Sequence, residues 1–84
     1  MDGLQEKRAL ELVEKLESAG VNCGLLAVQG SVVLRCPGAP YTDSPLMSFD
    51  EADLQNAVAL DRLEKREAIE RTEGKLKWEW YVLK

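Results

Sequence analysis

The chain has 84 residues, enough for one small domain around one core and too few for two. Eleven Lys and Arg against fifteen Asp and Glu give a net charge of -4, which opposes general attraction to phosphate polymers. Histidine is absent, removing the usual general base near neutral pH and the commonest metal ligand, so composition speaks against an enzyme.

At the N-terminus, Asp2 and Gln5 have the spacing of a helix-start box, in which each side chain takes up a backbone N–H of the other. Ala9, Leu12, Val13, Leu16 and Ala19 follow at three- and four-residue spacing, and Gly20 supplies a stop; this predicts a helix over 3–19 with one apolar stripe. The stretch is charged and amphipathic, without a signal peptide's apolar centre, and no apolar run reaches the roughly 20 residues of a membrane span. A cytoplasmic protein is expected.

Residues 22–36 read as a β-hairpin turning at Gln29-Gly30. That register pairs Val28 with Ser31, Ala27 with Val32, Leu25 with Leu34 and Cys23 with Cys36. One face then carries Cys23, Leu25, Ala27, Val32, Leu34 and Cys36, and should meet the helices. The other mixes Gly24, Leu26, Val28, Ser31, Val33 and Arg35. The two cysteines fall within bridging distance, yet a chain read as cytoplasmic is expected to keep them as buried thiols. Two cysteines without histidine are too few for a zinc site, and no metal or other cofactor is expected.

All three prolines lie within 37–47, which is read as a loop because proline removes backbone donors. Tyr41 is its candidate contact residue, an amphipathic ring suited to an interface. Ser48 and Glu51 form a second capping box that predicts a helix over 48–66, with an alternative extending to Thr72. The stretch 68–83 is read as a closing hairpin. In its last strand Leu76, Trp78, Trp80 and Val82 alternate with Lys77, Glu79, Tyr81 and Leu83, which sends both indoles to one face.

The segment from Leu60 through Arg62, Leu63, Lys65, Arg66 and Ile69-Glu70-Arg71 to Gly74, followed by the Trp- and Tyr-bearing strand, resembles the second half of a winged helix-turn-helix domain. The resemblance implies an α+β, winged-helix-like fold of order α-β-β-α-β-β. It makes the helix from Ser48 the recognition helix and 72–77 the wing, with Gln55, Asn56, Arg62, Arg66, Lys75 and Lys77 as nucleic-acid contacts of a dimeric transcription regulator.

Against that activity, the helix opens with Asp50, Glu51 and Asp53, and the basic residues after it alternate with Asp61, Glu64, Glu67, Glu70 and Glu73. The leading expectation is therefore a non-enzymatic protein–protein interaction domain, such as an accessory or inhibitor protein of a mobile element, or a homodimer. Tyr41, Trp78, Trp80 and Tyr81 are its candidate contact surface, because aromatic side chains are the usual anchors of interfaces. Catalytic residues, a small-molecule site and a membrane partner are not expected.

Overall fold

The computed structural model describes residues 1–38, 42–71 and 76–84. Its elements run α1 (Gly3–Ala19), β1 (Gly24–Val28), β2 (Ser31–Cys36), β3 (Thr42–Asp50), α2 (Glu51–Ala59), β4 (Leu63–Arg71) and β5 (Leu76–Leu83). The five strands form one antiparallel sheet of order β3-β2-β1-β5-β4. The α+β class stands, with three strands rather than two between the helices.

Helix α1 begins as its residues dictate: Gln5 N donates to Asp2 Oδ1 at 2.8 Å and Asp2 N to Gln5 Oε1 at 3.1 Å. Ala9, Leu12, Val13 and Leu16 form its buried stripe. It packs beside α2, whose Leu54 and Ala57 are fully buried, and both helices share a core with Cys23, Leu25, Ala27, Val32, Leu63 and Tyr81.

The first hairpin has the expected register, Val28 with Ser31 and Leu25 with Leu34, and its expected inner face is the one in the core. Gln29 and Gly30 both take positive φ, 50° and 84°, as a two-residue turn matched to strand twist requires. Cys23 and Cys36, one pair beyond the ladder, have Cα atoms 4.2 Å apart and form a disulfide. The expectation of free thiols is corrected here: it rested on the compartment, whereas the register brings the two sulfurs together.

Three element boundaries also differ from the sequence reading. The stretch assigned to a loop contains most of β3, because Pro45 occupies an edge strand, where a missing N–H leaves no ladder bond unmade. Ser31 pairs with Asp50 and Val33 with Pro45, so the residues between, Leu46 to Phe49, bulge opposite Val32. Leu46 and Phe49 turn toward the core there, while Met47 projects into solvent, 91% exposed.

Helix α2 starts at Asp50 rather than Ser48. Asp50 and Asp53 form the working capping box, Asp53 N donating to Asp50 Oδ1 at 3.2 Å and Asp50 N to Asp53 Oδ2 at 3.0 Å. Arg8 of α1 favours this choice by donating to Asp53 at 3.0 and 2.8 Å and to the Ser48 carbonyl at 2.7 Å, which leaves Ser48 in the strand.

The helix ends at Ala59, short of both Arg66 and Thr72. Asp61 adopts φ 63°, and the bonds Asp61 N to Val58 O, 2.9 Å, and Arg62 N to Ala57 O, 3.1 Å, satisfy the last carbonyls as in a Schellman motif. Aspartate is one of the few residues other than glycine that enter the left-handed region readily. The chain from Leu63 onward is then strand β4, paired along β5, with a bulge at Arg66.

Candidate functional site

Both helices lie on one side of the sheet, so strand alternation alone decides what the other side presents. From β2 to β4 that face carries Val33 and Arg35, then Gly24, Leu26 and Val28, then Trp78, Trp80 and Val82, then Glu64 and Glu67. Leu26 is directly opposite Trp80, and Val28 opposite Trp78, on adjacent strands. The tryptophans are half-buried, yet Leu26 beneath them is only 6% exposed without any helix above it. The indoles themselves roof this part of the sheet.

Gly24 makes that roof possible. A Cβ at this position would stand 2.3 Å from the Trp80 ring and 2.8 Å from the Tyr81 carbonyl oxygen, closer than van der Waals contact permits. Glycine lets the ring lie flat across β1. Beside the rings is an open recess of about 260 Å³, lined by Leu26, Pro37, Trp78 and Trp80 with Arg35 and Glu67 at its polar margin. Arg35 is held in place by Asp43 of the neighbouring strand through two bonds, 2.7 and 2.9 Å. That guanidinium keeps the Asp43 carboxyl below its usual range, chiefly through the hydrogen bond.

Tyr81 belongs to the opposite, helix-covered face. It is 1% exposed, and its hydroxyl accepts from Gln55 Nε2 of α2 at 2.8 Å. It is therefore not part of a contact surface; strand alternation placed it with Lys77 and Glu79, away from the tryptophans. Lys65 Nζ bonds the buried Glu79 carboxylate on that side at 3.1 Å. Burial pushes the Glu79 carboxyl up, but the bond and charge of Lys65 outweigh it and hold the group below its usual range. Tyr41 lies outside the described residues.

The residues singled out for nucleic-acid contact are scattered. Gln55 and Asn56 sit on α2, with Gln55 engaged by Tyr81. Arg62 follows the helix, 3.9 Å from Glu17, and Arg66 sits at the β4 bulge, 3.1 Å from Glu64. Lys77 is exposed on β5, and Lys75 lies outside the described residues. Helix α2, the recognition helix of the winged-helix resemblance, is preceded by strand β3.

Chemically, the helix-free face offers apolar contact area bordered, among the described residues, by the Arg35 guanidinium and the carboxylates of Asp43, Glu64 and Glu67. Among the described residues no group of three or more His, Cys, Asp or Glu is arranged for a metal ion, and the described cysteines are bridged. No helix there is long and apolar enough to cross a membrane. No family model matches the chain, and neither a curated protein nor a solved structure matches it. Gly24, Leu26 and Arg35 are the residues of this face that sequence reasoning did not single out. The usable signal was the apolar content of the hairpin's second face, which is too high for a strand surface turned permanently to water.

Proposed function

We propose that this chain is a non-enzymatic protein–protein interaction domain whose contact surface is the helix-free sheet face centred on Trp78 and Trp80. One observation carries the reading. Two half-buried indoles lie side by side over Leu26 beside an apolar recess, on the one side of the sheet that no helix packs against. Large flat aromatic side chains that lose little entropy on contact are the usual centres of interfaces. A domain of 84 residues also gains proportionally from covering such a face, since it buries little surface alone.

Trp78 and Trp80 are the only tryptophans, so intrinsic emission reports this face directly. The reading requires that acrylamide quench the emission of the dilute native protein, and that an anilinonaphthalene sulfonate probe bind the native fold and be lost in Trp78→Ser/Trp80→Ser. Indoles shielded from quencher in the dilute protein would overturn it. The reading includes a cytoplasmic setting, which fractionation of intact cells tests. No observation favours the alternative of a DNA-binding regulator, because Arg62 and Arg66 each stand beside a carboxylate rather than in a shared positive patch.

A further inference from the structure

We infer that the Cys23–Cys36 bridge is a redox latch on the recess beside the indoles. Closed, it holds the Pro37-Gly38 wall to the central strands; reduced to two thiols, it lets that wall swing out and bares Trp78 and Trp80. The inference rests on the interaction reading above and places its contact face under redox control.

The bridge stands where it can act on the recess. Cys23 precedes Gly24, over which the Trp80 ring lies, and Cys36 precedes Pro37 and Gly38, two exposed residues that line the recess. The β1–β2 ladder ends with the pair Gly24 and Arg35, which belongs to the helix-free face. One pair further on, the two sulfurs join the strands from the helix side, behind the recess. Cys36 also pairs with Thr42 of edge strand β3. Opening the bridge leaves it that partner and removes its covalent tie to the segment leading into β1. The fixed φ of Pro37 carries the displaced strand end into the wall.

The sheet does not need the bridge to set its register. The two cysteines are 13 residues apart in sequence, across a hairpin that five ladder pairs and the Gln29-Gly30 turn already fix. Opening it therefore frees one strand end rather than the whole fold. The reduced state also has a place prepared for it. Cys23 Sγ lies 3.5 Å from the Ala19 carbonyl oxygen, at the end of α1. A bridged sulfur carries no hydrogen, but the Cys23 thiol would donate one to that carbonyl, which belongs to the helix-end acceptors that lack an intrahelical partner.

The exchange follows accessibility. Cys36 is half-buried while Cys23 is only 7% exposed, so the thiolate of a dithiol reductant attacks the Cys36 sulfur. The S–S bond breaks, and its electron pair leaves with Cys23 Sγ, which takes up a proton. The reductant's second thiolate then attacks the reductant's own sulfur in the mixed disulfide. Cys36 Sγ leaves with that electron pair and is protonated, and the reductant ends as a disulfide. Oxidised glutathione closes the bridge again by the reverse exchange, leaving as two reduced molecules. In the cytoplasmic setting of the interaction reading such reductants are abundant, and the disulfides that form there are chiefly transient and redox-sensing.

The test compares the full native chain before and after reduction by dithiothreitol, with Cys23→Ser/Cys36→Ser as the open reference; a mass gain of two hydrogens marks opening. Acrylamide quenching of the indoles is read through lifetimes, because a nearby disulfide itself dims their emission. Reduction should leave the far-UV spectrum and cooperative urea unfolding in place, while it raises the quenching constant about twofold and shifts emission to the red. Oxidised glutathione should reverse both optical changes, and the serine variant should match the reduced chain with or without reductant. A bridge that yields only in denaturant, a chain that unfolds on reduction, or quenching that does not rise overturns the latch. Indoles quenched equally in both states remove the latch and keep the interaction face; indoles shielded in both remove that reading as well.

Discussion

The two faces of one sheet follow different rules in this protein. On the covered side the core residues are enclosed, and the polar groups buried there are answered: Asp53 by Arg8, Glu79 by Lys65, Tyr81 by Gln55. On the helix-free side, Val28, Val33, Val82 and both indoles stop at partial burial, and Leu26 and Gly24 are covered by neighbouring side chains rather than by a helix. The covered side carries most of the core, and in the reading proposed above the other is the contact face. Substitutions should therefore separate stability from association.

The largest expected difference is between Leu54→Ala and Val33→Ala. Leu54 is wholly enclosed between the helices and the sheet, so truncation leaves a cavity and should cost about 3 kcal/mol in urea unfolding. Val33 is half-buried on the other face and should cost less than about 1 kcal/mol. Equal losses would mean that the helix-free face is part of the core.

Gly24→Ala tests the boundary between the two. The new methyl would collide with the Trp80 ring, which can swing away, and with the Tyr81 carbonyl, which is fixed in the ladder. A loss of about 2 kcal/mol is expected, together with red-shifted emission as the displaced indole enters water. Unchanged emission would show that Trp80 does not lie across Gly24.

How much of this was legible in the residues differs between the faces. The hairpin register was readable because Gln29-Gly30 fixes the turn and alternation does the rest, and it carried the Cys23–Cys36 pairing with it. The joint placement of Trp78 and Trp80 followed from the same alternation. Strand β3 was hidden because its proline is tolerated only at a sheet edge, and edge position is a property of the whole topology. The end of α2 was hidden because the stop is Asp61 in a left-handed conformation, while Leu63 to Arg71 has ample helix propensity and becomes strand only through pairing with β5. Which hairpin face the helices would cover was readable too, since only the one with Cys23, Leu25, Ala27, Val32, Leu34 and Cys36 is uniformly apolar.

A third expectation concerns Asp53, which is 4% exposed and caps α2 while holding Arg8. Burial pushes its carboxyl up, but the hydrogen bonds from Arg8 and the Asp50 backbone, with the charge of Arg8, bring it below its ordinary 3.8. A depressed folded value means that the carboxylate contributes stability at pH above its unfolded value, lost as pH falls through the folded one. Asp53→Asn should cost about 1.5 kcal/mol near pH 7, with the difference from the native chain narrowing on acidification below about pH 4. A difference that persists unchanged in acid would mean that the Asp53 charge takes no part.

The smallest expected effect probes the polar link between the layers. The Tyr81 hydroxyl accepts from Gln55 on α2 and neighbours the Glu79 carboxylate on its own strand, so it couples helix to sheet where both are otherwise apolar. Tyr81→Phe keeps the ring and removes the link, and should cost about 1 kcal/mol at neutral pH with no change in the denaturant slope. Burial raises the phenol above its ordinary 10.0, and the Glu79 charge adds to this against the opposing Gln55 bond. A raised folded value stabilises the protonated native state below the unfolded value, and that stabilisation is lost as pH climbs through the folded one. The penalty of Tyr81→Phe should thus shrink above about pH 10, because only the native chain has a buried phenol to ionise. A penalty constant through that range would indicate a solvent-facing tyrosine, and with it that Tyr81 belongs beside the tryptophans rather than beneath the helices.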